Sequence, residues 1–150
     1  MALTEDQCAA IVYAETASLR KGTSDASVLH DARVWVAKIA YKRDGKGVAA
    51  GKTPGTEELK WSPAKTAWDD CKKAAKEAKG ENAGTCRHFV IWPSDDNGKT
   101  PTAKPSMGAT WPYTEKSKIT HGFGPLSNPV KVGDTPKSDK VYIFVYCGVA

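Results

Sequence analysis

The sequence predicts an α+β fold in which three main helices are followed by a small antiparallel sheet. Apolar residues recur with a helical period in the first half of the chain, between recognisable start and stop signals. Short apolar runs separated by Gly- and Pro-rich turns fill the second half. Helices that come first and strands that come second are typical of the α+β class. With 150 residues the chain can bury one core, so we expect residues 1–150 to form a single domain.

Capping signals locate the three helices. Thr4-Glu5-Asp6-Gln7 matches a capping box. Ser62 followed by Pro63 is typical of an N-cap and a first helical position. We therefore expect helices from Thr4 to about Leu19, from Asp25 or Ser27 to about Arg43, and from Pro63 to Lys79. The link over residues 48–61 is rich in Gly, Pro and Thr, and we expect it to be irregular.

The strands are expected after residue 86. The candidates are Arg87–Trp92, a short strand over 119–123, and a hairpin that joins 130–132 to Val141–Cys147. The last of these is apolar on both faces, which predicts a central strand or one packed against the helices. Residues 94–118 form a long polar loop, and loops of that length are usually functional or mobile.

The charge of the chain narrows the class of partner. A net charge of +5 and a pI near 9.0 suit an anionic polymer such as nucleic acid, a membrane surface or bacterial cell wall. Lys supplies most of the positive charge, and only four Arg are present, which does not favour nucleic-acid recognition. No apolar run is long enough for a membrane span. The N-terminus lacks a basic segment before an apolar core, so we do not expect a Sec signal peptide.

The four cysteines are widely spaced and include no Cys-x-x-Cys pair. Their even number suggests two disulfides, for which three pairings exist. Four reduced, buried thiols are the alternative. The three histidines, at positions 30, 88 and 121, are not at metal-ligand spacing, so we expect neither a metal site nor a cofactor.

The first helix carries a carboxylate on an apolar stripe. Cys8, Ile11, Val12 and Leu19 share one face, and Glu15 falls inside that face. A glutamate there either lies at the edge of the stripe with its carboxylate in water or lines a cleft. Burial raises the pKa of a carboxyl, and a raised pKa suits a general acid near neutral pH.

Glycan cleavage is the first chemistry that these residues suggest. A glycosidase needs a carboxylic acid that protonates the leaving oxygen, and Glu15 is the candidate. Asp95 and Asp96 are candidate second carboxylates, although paired Asp in a Ser-Asp-Asp-Asn-Gly run is also ordinary turn chemistry. Three aromatic residues are candidates for stacking on sugar rings or for anchoring the core, namely Trp92, Trp111 and Tyr113.

Two other functions remain open. A cysteine amidase or peptidase would use a thiolate nucleophile and a histidine base. Its candidate residues are Cys8, Cys71 or Cys86 with His88 or His121, and Cys8 is favoured because it lies in the first turns of a helix. The other alternative is a non-enzymatic module that binds cell wall or another anionic polymer, in which Glu15 would lie in solvent.

Several segments resemble the SleB-type cell wall hydrolases. Ile11-Val12-Tyr13-Ala14-Glu15-Thr16 is similar to the Tyr-Ala-Glu helix that carries that family's catalytic glutamate. Val36 to Arg43 is similar to its next, Val-Ala-rich helix, although Lys42 stands where the family has Asn. Arg87-His88-Phe89 is similar to a later His-aromatic segment, and Val141 to Tyr146 occupies the place of the closing strand.

The resemblance implies a lysozyme-like fold and cleavage of the peptidoglycan glycan strand, as a muramidase or a lytic transglycosylase. It implies that Glu15 is the general acid and base and that His88 lines the substrate site. The second acidic residue that usually follows the family's catalytic glutamate is absent here.

A small basic wall hydrolase with four cysteines and no expected signal peptide suggests a particular biology. We expect an antibacterial effector or toxin delivered into a rival's periplasm, or a lysin released to the cell wall. A cognate immunity protein that inhibits the enzyme is the expected partner of such an effector.

Overall fold

Three helices precede a three-stranded antiparallel sheet, which confirms the α+β class and the order of the elements. The computed structural model describes residues 2–19, 25–94, 96–102, 113–127 and 140–149. The chain divides into a helical unit, Met1–Arg20 with His30–Ala83, and a sheet unit, Lys21–Leu29 with Gly84–Ala150. The expectation of a single domain stays a prediction.

The regular elements follow the expected order. The helices are α1 (Glu5–Glu15), α2 (Ala26–Lys42) and α3 (Ser62–Ala78), and the strands are β1 (Cys86–Trp92), β2 (Ile119–Ser127) and β3 (Lys140–Cys147). Short 3-10 turns cover Ala17–Leu19, Glu58–Lys60 and Lys116–Lys118. Among the residues described, no helix combines the length and the apolar character needed to cross a membrane.

The first helix begins as predicted but ends early. Thr4 accepts a hydrogen bond from the Gln7 backbone N–H, and the Gln7 side chain accepts one from the Thr4 N–H, which completes the capping box. The prediction that the helix runs to Leu19 is wrong, because α1 stops at Glu15. The Thr16 hydroxyl donates to the carbonyl of Val12 at 2.7 Å. The Thr16 N–H donates to the same carbonyl at 3.0 Å, so the hydroxyl adds to the last backbone bond of α1. Threonine side chains that bond the local backbone in this way are favoured at helix ends.

The second half of α1 is buried on all sides. Six consecutive residues, from Cys8 to Tyr13, are buried, so the helix has no solvent-facing side there. The ring of Tyr13 packs edge-on against Trp68 of α3, with centroids 5.6 Å apart. The thiol of Cys8 donates to the carbonyl of Ala37 in α2 at 3.7 Å. The helix is therefore the centre of the helical unit rather than an amphipathic helix at its edge.

Polar contacts join α2 to α3. His30 contacts Asp70 and Glu77 through its two ring nitrogens, each at 2.6 Å, and Arg33 pairs with Asp70 at 2.9 Å. The Tyr41 hydroxyl donates to the carbonyl of Ala75 at 2.8 Å. These bonds span sequence separations of 34 to 47 residues and orient the two helices relative to each other.

The third helix starts one residue earlier than expected. Pro63 lies in the first turn, as predicted, where its missing N–H removes no helical bond. Ser62 is already helical, and Trp61 occupies the N-cap position, where its side chain does not cap the first turn of the helix. The prediction of a Ser62 cap is therefore wrong by one position, a common error at helix ends.

The sheet has the strand order β1-β3-β2, which confirms that the closing strand is central. Both neighbours are antiparallel to β3, and Trp92 of β1 lies opposite Tyr142. Strand β2 extends to Ser127, beyond the expected end at residue 123. The predicted hairpin strand over 130–132 lies outside the residues described.

One face of the sheet buries a cluster of Val90, Trp92, Phe144 and Tyr146. The disulfide Cys86–Cys147 joins the first residue of β1 to the last residue of β3, which are 61 residues apart in the sequence. A cross-link over such a loop stabilises a fold by about 4 kcal/mol in the chain-entropy model. Cys8 and Cys71 are buried and not disulfide-bonded. The chain thus forms one disulfide, and neither sequence alternative, two disulfides or four thiols, is right.

Candidate functional site

Glu15 is the last residue of α1, and its side chain is partly buried. Ile11 and Val12, one turn earlier, are almost fully buried. Because Thr16 ends the helix, the carboxyl lies where the chain leaves its buried helical path. The structure therefore places a carboxyl at the edge of an apolar core, partly withdrawn from water.

A backbone amide distant in sequence holds this carboxyl. Ala49 donates its N–H to Oε1 of Glu15, with the nitrogen and oxygen 2.5 Å apart. Ala49 belongs to the connecting segment, the residues 43–61 that link α2 to α3. A hydrogen bond from the backbone orients the carboxyl without adding a charge to its surroundings.

The protonation of Glu15 is set by two opposing effects. Burial raises the pKa of the carboxyl above its ordinary value of 4.5, and the hydrogen bond from Ala49 lowers it. Burial is the larger effect, so the pKa is raised. A carboxyl with a raised pKa keeps its proton at a higher pH than an exposed glutamate, which is the property of a general acid.

The connecting segment contacts α1 at two further points. Gly51 lies directly on the helix backbone at Ala10. Tyr13 donates a hydrogen bond from its hydroxyl to the carboxylate of Glu58. Residues two apart on a helix point to different sides, so the Tyr13 contact does not bring Glu58 to the side of Glu15. Glu58 therefore anchors the segment and is not a second carboxylate paired with Glu15.

His88 and Tyr113 lie in the sheet unit and contact each other. Their rings are edge to face with centroids 6.4 Å apart, and both side chains are partly buried. Tyr113 also packs edge-on against Tyr146, whose hydroxyl donates to the Tyr113 carbonyl at 3.1 Å. Two of the predicted substrate-binding residues are thus brought together. Glu15 belongs to the other unit.

The remaining predicted site residues are less informative. Trp92 is only 2% exposed and belongs to the core cluster of the sheet unit, so its ring is an anchor rather than an open stacking surface. Its indole Nε1 has no hydrogen-bond partner among the residues that the structure describes. Asp95 and Trp111 lie outside the residues that the structure describes.

The Asp96 carboxylate is hydrogen-bonded to residues of its own loop. Its carboxylate accepts hydrogen bonds from the Thr100 hydroxyl and N–H at 2.6 and 2.8 Å and from the Ser94 hydroxyl at 2.7 Å. These bonds, those of Thr100 first, hold the pKa of Asp96 well below its usual range. The arrangement is that of a turn, the alternative that the sequence left open.

The disulfide and the burial of the other two cysteines do not favour a cysteine nucleophile. Cys86 is consumed by the disulfide. Burial raises the pKa of the Cys8 thiol to about 12, despite a hydrogen bond with Tyr41, and the neighbouring Cys71 contributes to the rise. Cys71 is itself fully buried. The cysteine alternative stays a prediction, and the burial of Cys8 does not favour it, because a thiol with a raised pKa forms little thiolate near neutral pH.

Sequence reasoning did not find the contacts of the connecting segment. Ala49, Gly51 and Glu58 lie 34 to 45 residues from their partners on α1, and no local pattern marks such pairs. The one available signal was the Gly- and Pro-rich composition of residues 48–61, since glycine is favoured where two backbones approach closely. That composition predicted only an irregular link.

The protein is thus of the α+β class, and its candidate site is a partly buried glutamate with a raised pKa at the end of α1. Within the described ranges, no three His, Cys, Asp or Glu side chains are grouped to hold a metal ion. Comparisons with protein-family models, with curated proteins and with solved structures found no match to this chain. The resemblance to the SleB-type hydrolases therefore stays a prediction.

Proposed function

We propose that this protein cleaves the glycan strand of peptidoglycan, as a muramidase or a lytic transglycosylase, with Glu15 as general acid and base. The observation that supports the proposal is the partly buried Glu15 carboxyl at the end of α1, whose pKa burial raises. A carboxyl kept protonated in this way is what protonation of a glycosidic oxygen requires.

The proposed reaction has two proton transfers. Glu15 gives its proton to the glycosidic oxygen while the bond from that oxygen to the anomeric carbon breaks and its electron pair stays on the oxygen. The Glu15 carboxylate then accepts a proton from the attacking group. That group is water in a muramidase and the sugar's own hydroxyl in a lytic transglycosylase. The second route needs no further carboxylate, which suits a chain whose Asp96 is engaged in its loop.

Two other features agree with this proposal. The net charge of +5 attracts anionic cell-wall polymers. The Cys86–Cys147 disulfide suits an oxidising compartment such as the periplasm. We extend the proposal accordingly to an antibacterial effector or lysin that acts at the wall, with a cognate immunity protein as its inhibitor. His88 and Tyr113 are the proposed substrate-binding residues of the sheet unit.

The test is mass spectrometry of peptidoglycan digested by wild type, Glu15→Gln and Glu57→Gln. Wild type is expected to release disaccharide-peptides, with reducing ends after hydrolysis or anhydro ends after transglycosylation. Glu15→Gln should be slower by about 100-fold or more, since general acid catalysis contributes at least that much. Glu57→Gln is the matched control, because the Glu57 side chain is 87% exposed and pairs with Lys60, its neighbour three residues later.

Three outcomes contradict the proposal. A folded Glu15→Gln protein that works at the wild-type rate removes Glu15 from catalysis. Free peptides released from intact glycan indicate the amidase alternative, which the burial of Cys8 does not favour. Binding to the wall without any soluble product indicates the non-enzymatic module.

A further inference from the structure

The connecting segment crosses α1 with its backbone in direct contact with the helix backbone. A Cβ atom placed on Gly51 would lie 2.2 Å from the carbonyl carbon of Ala10 and 2.4 Å from the backbone nitrogen of Ile11. Real Cβ contacts do not occur at such distances, and helix backbone cannot move aside as a flexible side chain does. Only glycine therefore fits at this crossing.

The requirement at Gly51 is for space. The backbone of Gly51 is not in the left-handed region, unlike that of Gly45 and Gly47, which have φ of 76° and 71°. Ala10 and its neighbour Ala9 are buried and have the smallest side chains compatible with a helix, so α1 presents its backbone to the segment. The two backbones can therefore approach closely because the segment has a glycine and α1 has alanines at the contact.

The crossing is two residues from the amide that holds Glu15. Ala49 donates its N–H to Oε1 of Glu15, and Gly51 lies on Ala10, five residues earlier in α1. As the segment proceeds from Ala49 to Gly51, its contact with α1 moves from Glu15 back to Ala10. The segment therefore runs from the Glu15 end of α1 towards the N-terminus of the helix, over about 7.5 Å for five residues. The distance between the Gly51 backbone and the backbone of α1 therefore determines how close the Ala49 N–H comes to Glu15.

We propose that Gly51 is a positioning residue for Glu15, because its missing side chain lets the connecting segment lie on α1 and hold the Ala49 N–H against the carboxyl. The structural part of this proposal is independent of the reaction, while its catalytic consequence rests on the proposed function. A methyl group at position 51 lifts the segment and withdraws the Ala49 N–H from Glu15.

The segment supplies its own control. A Cβ on Gly55 meets no atom within 4 Å, and the backbone there is also outside the left-handed region. Gly51→Ala and Gly55→Ala make the same chemical change in the same segment, four residues apart. Both remove the flexibility of a glycine, and only the first creates a collision.

The test is the pH titration of the Ala49 amide by NMR. In wild type the proton and nitrogen shifts of that amide should titrate with Glu15, and Glu15→Gln, which has no ionisable group, should abolish the titration. Gly51→Ala should lose most of the amplitude, and Gly55→Ala should keep it. A Gly51→Ala protein that folds and retains the full Ala49 titration overturns the proposal.

Failure of Gly51→Ala to fold does not end the test. The wild-type titration then decides: its absence at Ala49 overturns the proposal. If the wild-type Ala49 amide does titrate with Glu15 and Gly55→Ala folds, the proposal is supported. The contact with the α1 backbone is then the difference between the two glycines that accounts for the failure of Gly51→Ala. In the glycan assay a folded Gly51→Ala should be about 10- to 100-fold slower than Gly55→Ala. If Glu15→Gln stays active, the proposed function fails while the NMR result at Gly51 stands by itself.

Discussion

The Nδ1 atom of His30 lies 2.6 Å from Oδ1 of Asp70, and the Nε2 atom of the same ring lies 2.6 Å from Oε2 of Glu77. A neutral imidazole has one donor nitrogen and one acceptor, so it satisfies only one carboxylate. The charged form donates to both. The contact between α2 and α3 therefore favours protonated His30, and it involves Asp70, Glu77 and, through Asp70, Arg33.

We predict that His30 makes stability depend on pH. Burial lowers the pKa of His30, but hydrogen bonds with Glu77 and Asp70 and their negative charges raise it, and the resulting pKa lies above the ordinary value of 6.5. A raised folded-state pKa gives a stabilisation that is complete below about pH 6.5 and is lost as the pH rises through the folded-state pKa. His30→Gln should cost about 1–2 kcal/mol of unfolding free energy at pH 5.5 and less at pH 8.5. Urea denaturation at both pH values measures this, and an equal loss at each contradicts it.

Asp70 should matter more for stability than its neighbour Asp69. Asp70→Asn leaves the guanidinium of Arg33, whose side chain is 4% exposed, without its charged partner. Breaking a buried ion pair from one side is strongly destabilising, and we expect a loss of about 2–3 kcal/mol. Asp69→Asn is the control, since the Asp69 side chain is 42% exposed and pairs with the exposed Lys65 and Lys72. Its loss of stability should be much smaller than that of Asp70→Asn. Comparable losses in the two variants would be inconsistent with this role of Arg33.

Glu15→Gln should be at least as stable as wild type at neutral pH. Burial disfavours the carboxylate, so the folded-state pKa of Glu15 lies above the unfolded value. The resulting penalty appears as the pH rises through the unfolded-state value near 4.5, and it is complete above the folded-state pKa. Glutamine removes the charge and keeps an oxygen that accepts from Ala49. Thermal melts at pH 7 test this, and a markedly lower melting temperature for the variant contradicts it.

Thiol counting should distinguish the two pairs of cysteines. Cys8 and Cys71 are both fully buried, so the native protein should react slowly with a thiol reagent. Denaturation without reductant should expose two thiols, and denaturation with reductant should expose four, because only Cys86–Cys147 is bonded. No reactive thiol after denaturation alone would instead reveal a second disulfide.

Local signals account for the parts of the fold that were predicted correctly. The Thr4 capping box, the Pro63 start of α3 and the apolar β3 each depend on residues close together in sequence. The early end of α1 was missed because the apolar pattern continues to Leu19, which is indeed buried. Leu19 belongs to a 3-10 turn and is buried there. The periodicity of apolar residues does not distinguish such a turn from a continued α-helix.

Pairings between distant residues could not be predicted. The sequence left three pairings for its cysteines, and only the sheet brings Cys86 opposite Cys147. It likewise placed His30 on a helix without showing that two carboxylates of α3 enclose its ring. Such contacts depend on how helices and strands pack, and the periodicity within one element carries no information about its neighbours.

Glu15 shows where the two sources of information divide. The sequence by itself determined the α+β class, the helix that carries Glu15 and the apolar residues around it, because helical spacing and capping are local properties. Only the tertiary structure decided that Cys8–Tyr13 of α1 are buried on every side and that the connecting segment brings Ala49 to the carboxyl. Burial and hydrogen bonding set the pKa of a carboxyl, and both come from residues far away in the chain.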